Sequence, residues 1–486
     1  MWEDVARMAA ADTGSPGALR KVDAVHVAHC MSWAYDDAPR RLADRLGINA
    51  THRQVSVLAG TAGQRMVNRA AERMLAGDSN LALVVGGEAL ATLKSLRQAG
   101  SSPDWSHPAP EGAPPAIDLS EWIAPTEWAH EVLAATLTFA ALDTARRAST
   151  GLNPVEYRRR EAVLLSRFTD VAATDPHAWF PIRRSPAEIE IVTAANRMIS
   201  SPYSKYMVAI MDVDMAAGLL VCTHERANEL GVAPERRVYL RGWSFGRDAT
   251  HVAQRPFLDR SPAMAAVGAD ALSRAGVDID DIAHIDLYSC FASSVLFATD
   301  ALGLDPSDSR GFTVTGGLPY HGGPASNYTT HAIAAMVDRL RERGDGYGLV
   351  TGVGMHMTKH VSGIYSPQPG PVTPPDYPSV QAGIDEHPIR PLTPNVADQV
   401  DARIASYSVT HRRDGTPATA LIIADLPDGS RAYARTEHPD LLRSMQSGEW
   451  VGTAVTLRPG PDKTNTFAPR QRPISPNRAS VRLATP

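Results

Sequence analysis

Two hydrophobic periods alternate along the first ninety residues. Residues 2–11 carry Val5, Met8 and Ala9 on one helical face, residues 22–28 form an apolar strand-like run, and 38–46 return to helical spacing. Residues 55–59 read as a short buried strand that runs into Gly60-Thr61-Ala62-Gly63. A helix is expected over 64–76, with Met66, Val67, Ala70, Ala71, Met74 and Leu75 in register, then a strand over 80–87. Strands alternating with helices at this spacing predict an α/β layer fold with buried, largely parallel strands.

Residues 101–125 break the rhythm with proline and glycine, and helices follow at 128–149 and 154–173. Arg158, Arg159, Arg160 and Arg167 cluster on the second; they read either as a solvated face or as a set able to pair with phosphates. A strand at 217–222 ends this half. The order then restarts with a strand at 237–242, a helix at 263–275, a strand at 284–288 and a strand at 347–351, which predicts an internal duplication.

Past a proline-rich stretch the pattern shortens. Strands are expected at 402–410, 418–424, 430–436 and 452–458, with Asp414-Gly415 and Asp428-Gly429 at turns and a helix at 439–447. This predicts a small, mostly antiparallel barrel of the oligonucleotide/oligosaccharide-binding (OB) type. The expected domains are 1–225, with an insertion at about 101–200; 235–366; a linker at 367–380; the β module at 381–468; and a disordered tail at 469–486.

Composition adds exclusions. The chain of 486 residues is 43% hydrophobic, enough for two or three cored domains, and its net charge of −5 gives no general attraction to nucleic acid or anionic membrane. Tyr407 and Tyr433 could stack on bases but read as core or barrel surface, and the module lacks a dense basic groove. No apolar run is long enough to span a membrane. Cys30, Cys222 and Cys290 fit neither a metal site nor a disulfide framework, so a reducing cytoplasm is expected.

The chemistry concentrates at residues 316–327, Gly-Gly-Leu-Pro-Tyr-His-Gly-Gly-Pro-Ala-Ser-Asn, ahead of a helical run at 331–340. Glycines let backbone approach a ligand, a helix N-terminus favours developing negative charge, and a histidine there can polarise a carbonyl or move a proton. His321 is therefore either a site residue or a hydrogen-bonded loop residue.

Four landmarks in order, Gly60-Thr61-Ala62-Gly63, Tyr288-Ser289-Cys290-Phe291, the His321 loop and Gly352-Val353-Gly354, resemble the catalytic loops of the thiolase superfamily. The pattern is most similar to the acetyl-CoA acetyltransferases and sterol-carrier-type thiolases, and among these to actinobacterial thiolase-like proteins of type 1 with an additional C-terminal domain. The resemblance covers residues 1–366. It implies two βαβαβαββ halves in a five-layer αβαβα sandwich, with an inserted loop domain.

It also implies that Gly60 stands where the nucleophilic cysteine belongs, Tyr288 where an Asn or His holds water, and Gly352 where the acid/base cysteine belongs. His321 and Cys290 are the expected catalytic candidates that remain, Cys290 being alternatively a small buried apolar residue. Ser326 matches a pantetheine contact and Asn327 replaces a glycine beside it. By resemblance, Gly60, Tyr288, Ser326, Asn327 and Gly352 line the substrate site. Ordinary thiolase chemistry needs both thiols, one as acyl carrier and one as proton carrier. The implied ligand is CoA or an acyl-CoA of lipid or sterol metabolism, with no metal and no permanently bound cofactor. A homodimer, or an assembly with a thiolase-family or lipid-metabolism partner, fits the family. A non-catalytic binding or assembly subunit is the alternative. The chain starts inside the first helix, and the resemblance implies a preceding strand central to the first half-sheet.

Overall fold

The structure, a computed structural model, describes residues 1–113 and 119–470. The expected disordered tail lies outside the described residues from 471 onward. The first half runs α1 (Trp2–Asp12), β1 (Ala24–Val27), α2 (Ala38–Leu46), β2 (His52–Val55), α3 (Ala62–Leu75) and β3 (Leu81–Ala89). An insertion follows: α4 (Leu90–Gln98), α5 (Pro125–Ala129), α6 (Ala135–Thr150), α7 (Pro154–Ala172), α8 (Pro186–Glu190) and the short strands β4 (Met198–Ser200) and β5 (Tyr203–Ser204). Strand β6 (Asp214–Cys222) and helix α9 (His224–Glu229) complete the half. The second half is β7 (Tyr239–Arg247), α10 (Pro262–Ala275), β8 (Ile282–Asp286), α11 (Ala292–Leu302), α12 (Tyr328–Arg343), β9 (Tyr347–Gly354) and β10 (Lys359–Ser366).

Local chemistry sets the helix ends. Asp37 accepts the Arg40 amide at the start of α2 and Gly47 closes it in the left-handed region; Ser261, Pro262 and Gly276 do the same for α10. The sheets have the orders β2-β1-β3-β6 and β8-β9-β10-β7; β1, β3 and β6 correspond in pairing sense to β8, β9 and β10, so the two match with an offset of one strand. Helices α1 and α2 cover the outside of the first sheet, and α10 and α11 that of the second. Between the sheets lie α3 and α12, both heavily buried. They approach so closely that a Cβ on Gly63 would lie 2.5 Å from Thr330 Oγ1. The result is the expected αβαβα sandwich.

The C-terminal strands are β11 (Val400–His411), β12 (Pro417–Asp425), β13 (Arg431–Thr436), β14 (Ala454–Pro459) and β15 (Asn465–Pro469), with α13 (Tyr377–Asp385) ahead of them and α14 (Pro439–Ser447) between β13 and β14. The order β12-β13-β15-β14-β11, with β11 pairing back to β12, closes a five-stranded barrel. Its pairings are antiparallel except β13 with β15. Ile404, Tyr407, Val409, Ile422, Leu457 and Phe467 fill it. The barrel is tied to the insertion: Arg147 on α6 donates to Tyr407 Oη (2.8 Å) and pairs with Glu449 (3.0 Å), and Tyr433 Oη donates to Glu127 (2.8 Å). Both tyrosines are buried, so they hold the barrel rather than face a nucleic acid.

Several expectations need correction. The strand expected at 55–59 lies at β2, three residues earlier, and Val55 and Val57 are exposed, because β2 is an edge strand. The helix expected at 128–149 is split between α5 and α6 at Glu131, whose φ is +59°. The preceding strand implied to be central has no central vacancy to occupy: β1 pairs directly with β3. The first strand of the second half, β7, sits at the sheet edge on β10, and its counterpart position is beyond β6. The arginine cluster on α7 is largely spent on structure. Arg158 donates to the carbonyls of Glu190 and Pro202, Arg159 pairs with Glu190, and Arg167 donates to the Asp308 carbonyl.

Candidate functional site

The four landmark segments meet at the ends of β8 and β9 and the starts of α3 and α12, stitched by hydrogen bonds. The Ala59 amide donates to Ser326 Oγ (3.2 Å), joining the first loop to the third. The Leu318 amide donates to Ser289 Oγ (3.2 Å), joining the third to the second. The Tyr288 amide donates to Thr351 Oγ1 (2.9 Å), joining the second to the strand that ends in the fourth.

At the centre is a steric interlock. A Cβ built on Gly60 would lie 2.1 Å from Tyr288 Oη, 2.3 Å from the Val353 carbonyl oxygen and 2.4 Å from Tyr288 Cζ. The phenol head of Tyr288 therefore fills the space in which any side chain on residue 60 would start. Gly352 is as tightly enclosed: its Cβ would meet Val361 Cγ1 at 2.7 Å, Thr329 Cγ2 at 3.1 Å and the Gly60 carbonyl at 3.2 Å. The structure thus brings Gly60, Tyr288 and Gly352 together. Burial holds the Tyr288 phenol well above its usual pKa, so it stays neutral.

His321 joins this cluster through Tyr328, whose ring is 6.2 Å from that of His321 and 5.6 Å from that of Tyr288, both edge-to-face. Both imidazole nitrogens have protein partners. Nδ1 meets Asp175 Oδ2 at 2.7 Å, and Nε2 meets His331 Nδ1 at 3.3 Å. Burial pushes the Asp175 carboxyl up, but bonds from His321 and the His177 amide outweigh it and hold the group below the usual carboxylate range. Burial, with the neighbouring His321 and His177, drives His331 well below the usual histidine value, and its Nε2 is buried without a partner. Asp175–His321–His331 is thus a hydrogen-bonded chain with fixed ring orientations.

Beneath it Asp286, fully buried, accepts from the Val314 amide (3.0 Å), Thr313 Oγ1 (3.1 Å) and Tyr328 Oη (3.3 Å). Burial outweighs these bonds and pushes the carboxyl up to about 6. Cys290 is half-buried beside Tyr288, with its carbonyl bonded to the Ala209 amide (2.9 Å). Burial pushes its thiol up to about 12, leaving it protonated at neutral pH and a poor nucleophile. Ser326 is buried and engaged by Ala59, while Asn327 is buried against Gly86 with both amide atoms unpartnered. Thr330 Oγ1, facing Gly63, is unpartnered as well.

The Asp175–His321–His331 chain and its support were not marked by the sequence. Asp175 lies in a loop 146 residues from His321. Asp286 did carry a signal, an acidic residue inside an apolar strand, which is tolerated only where hydrogen bonds receive it. Among the described residues no group of His, Cys, Asp and Glu side chains is arranged to hold a metal ion, and no helix is long and apolar enough to cross a membrane.

Over nearly its whole length the chain matches a solved structure, a monomeric SCP2-thiolase like protein type 1 from Mycobacterium smegmatis. The identity is 31% and the TM-score 0.81, covering 97% of this chain and 91% of that one. This chain belongs to the thiolase superfamily, as a thiolase-like protein of type 1. The family model for the thiolase-like protein type 1 additional C-terminal domain matches residues 379–462, which include most of the barrel. Human mitochondrial 3-ketoacyl-CoA thiolase shares the fold, with a TM-score of 0.53 at 16% identity over 75% of this chain and 91% of that one. Its complex with CoA gives 0.52 at 15%, over 75% and 90%. The curated 3-ketoacyl-CoA thiolase of Citrobacter koseri is 35% identical over 175 residues. That match takes in 33% of this chain and 35% of the relative, so the chain aligns with about a third of such thiolases' length.

Proposed function

We propose that this thiolase-like protein binds acyl-CoA thioesters at the meeting point of its four loops and does not run the thiolase reaction. The observation that carries the reading is the interlock of Gly60 with Tyr288. A covalent acyl carrier at residue 60 needs a side chain, and the phenol occupies the place where one would begin. Gly352, enclosed by Val361 and Thr329, likewise leaves no position for a second thiol. The usual ping-pong route, which splits one hard step into two through an acyl-enzyme, is then closed.

Binding capacity is supported by unspent polar groups. Asn327 Oδ1 and Nδ2 and Thr330 Oγ1 are buried without partners, and such groups are ordinarily met by water or ligand. A catalytic Cys290 draws no support from a thiol pushed up to about 12. The setting in lipid metabolism, in the cytoplasm, is supported by the thiolase relatives and by three free cysteines. The M. smegmatis relative is described as monomeric, which favours a monomer over a homodimer here.

Thermal unfolding with CoA, acetyl-CoA and a long-chain acyl-CoA tests the reading. A ligand at 100 times its Kd stabilises by about 2.7 kcal/mol, so a rise of several degrees is expected with the acyl-CoAs. No rise with any of the three ligands sinks the reading.

A further inference from the structure

Five lysines occur in the chain, and four of them, Lys21, Lys94, Lys205 and Lys463, are exposed. Lys359, the first residue of β10, is 7% exposed. Its Nζ lies 3.7 Å above the Trp122 ring and has no hydrogen bond or ion pair among the described residues. The register pairs Lys359 with Gly354 on β9 and with Arg247 on β7. A Cβ on Gly354 would touch Ala59 Cβ at 3.1 Å, Lys359 Cβ at 3.3 Å and Lys359 Cδ at 3.5 Å. The lysine stem thus lies along a glycine gap whose other wall is Ala59, the residue before Gly60.

We propose that Lys359 is an acyl-acceptor amine, modified by the acyl-CoA that this protein binds. The inference rests on the thioester-binding reading above. The neutral amine attacks the thioester carbonyl carbon, a C–N bond forms and the C–S bond breaks. CoA leaves as its thiolate and takes up the proton lost by the nitrogen. The products are an Nε-acyl-lysine and free CoA, with no oxidant, reductant or further reactant. The step is stoichiometric self-modification, not turnover, and it replaces a poorly solvated cation with a neutral amide beside Trp122.

Burial, with Arg247 adjacent, brings the ammonium down to about 8, while Glu121 acts weakly in the opposite direction. At pH 7.5 an amine of this kind is about a quarter neutral, against about 0.1% for an ordinary lysine. Lower intrinsic nucleophilicity offsets part of that advantage, so roughly a tenfold faster acylation than at an exposed lysine is expected.

The full chain is incubated with acetyl-CoA at pH 7.5, and acetyl groups are mapped by peptide mass spectrometry, alongside a calorimetric titration of the same sample. Binding with Lys359 labelled roughly tenfold faster than Lys94, and labelling suppressed by excess desulfo-CoA, supports the proposal. K359R should bind and melt as the wild type does and lose only that label. Binding with Lys359 unlabelled, labelled no faster than Lys94, or labelled equally in the presence of desulfo-CoA overturns the proposal and leaves the binding reading intact. No binding removes both.

Discussion

Tyr288 Oη lies 2.1 Å from where a Cβ on Gly60 would stand, so the two residues exclude each other's alternatives. A glycine at 60 is what admits the phenol, and the phenol is what forbids a side chain at 60. The Gly60→Cys variant should therefore lose about 1–3 kcal/mol by overpacking and gain no thiolysis activity. Replacing Tyr288 with Asn in that background should recover part of the loss, while the Val353 carbonyl at 2.3 Å prevents full recovery. Denaturant titrations of the two single variants and the double variant give the coupling, expected to exceed about 0.5 kcal/mol. Strict additivity would contradict the interlock.

Asp286 gives stability an unusual pH dependence. Its folded-state pKa, about 6, is above the unfolded value near 3.8. The folded protein then binds the proton more tightly, so this group's contribution is full below pH 4 and is lost as pH rises through 6. Asp286→Asn should flatten the stability profile between pH 4 and 6. An unchanged slope there would show that the carboxyl is not protonated in the fold.

Asp175 has the opposite sign. Its pKa is depressed, so its contribution is present above the unfolded value and is lost as pH falls through the folded one. Asp175→Asn replaces a charged acceptor for His321 with a neutral one and should cost about 1.5–3 kcal/mol at pH 7. The difference from wild type should shrink below pH 4. Urea unfolding at pH 7 and pH 3.5 tests both parts.

Order and glycine content made the four loops readable in the sequence, because close backbone approach leaves few residue types possible. Polar partnerships did not show: nothing local to Asp175 or His331 marks them as neighbours of His321. Strand β10, KHVSGIYS, was missed because it is buried along its whole length and lacks the two-residue alternation of a half-exposed strand. Strand β15, NTFAP, is five residues ending in proline, yet it closes the barrel by pairing with β13 and β14. Tyr288 read as a lost water ligand; its role in filling the place of a side chain on Gly60 required three dimensions.

Arg147 is one of several polar ties between the insertion and the barrel, with Thr144 and Glu127 among the others. It is nearly buried, and its loss leaves Glu449 without its cation and Tyr407 Oη without a donor. Arg147→Ala should cost about 2–3 kcal/mol and separate the melting of the barrel from that of the sandwich. Scanning calorimetry resolves the two cases; a single transition at the wild-type temperature would contradict this assignment.

The central claim is that the four-loop site holds a thioester without forming an acyl-enzyme. Calorimetric titration of a 3-ketoacyl-CoA into the protein in the presence of free CoA reads binding and turnover in one trace. The account predicts heats that saturate at a fixed stoichiometry and then return to the heat of dilution. A sustained heat flow after each injection, proportional to enzyme and lasting until substrate is consumed, would contradict it.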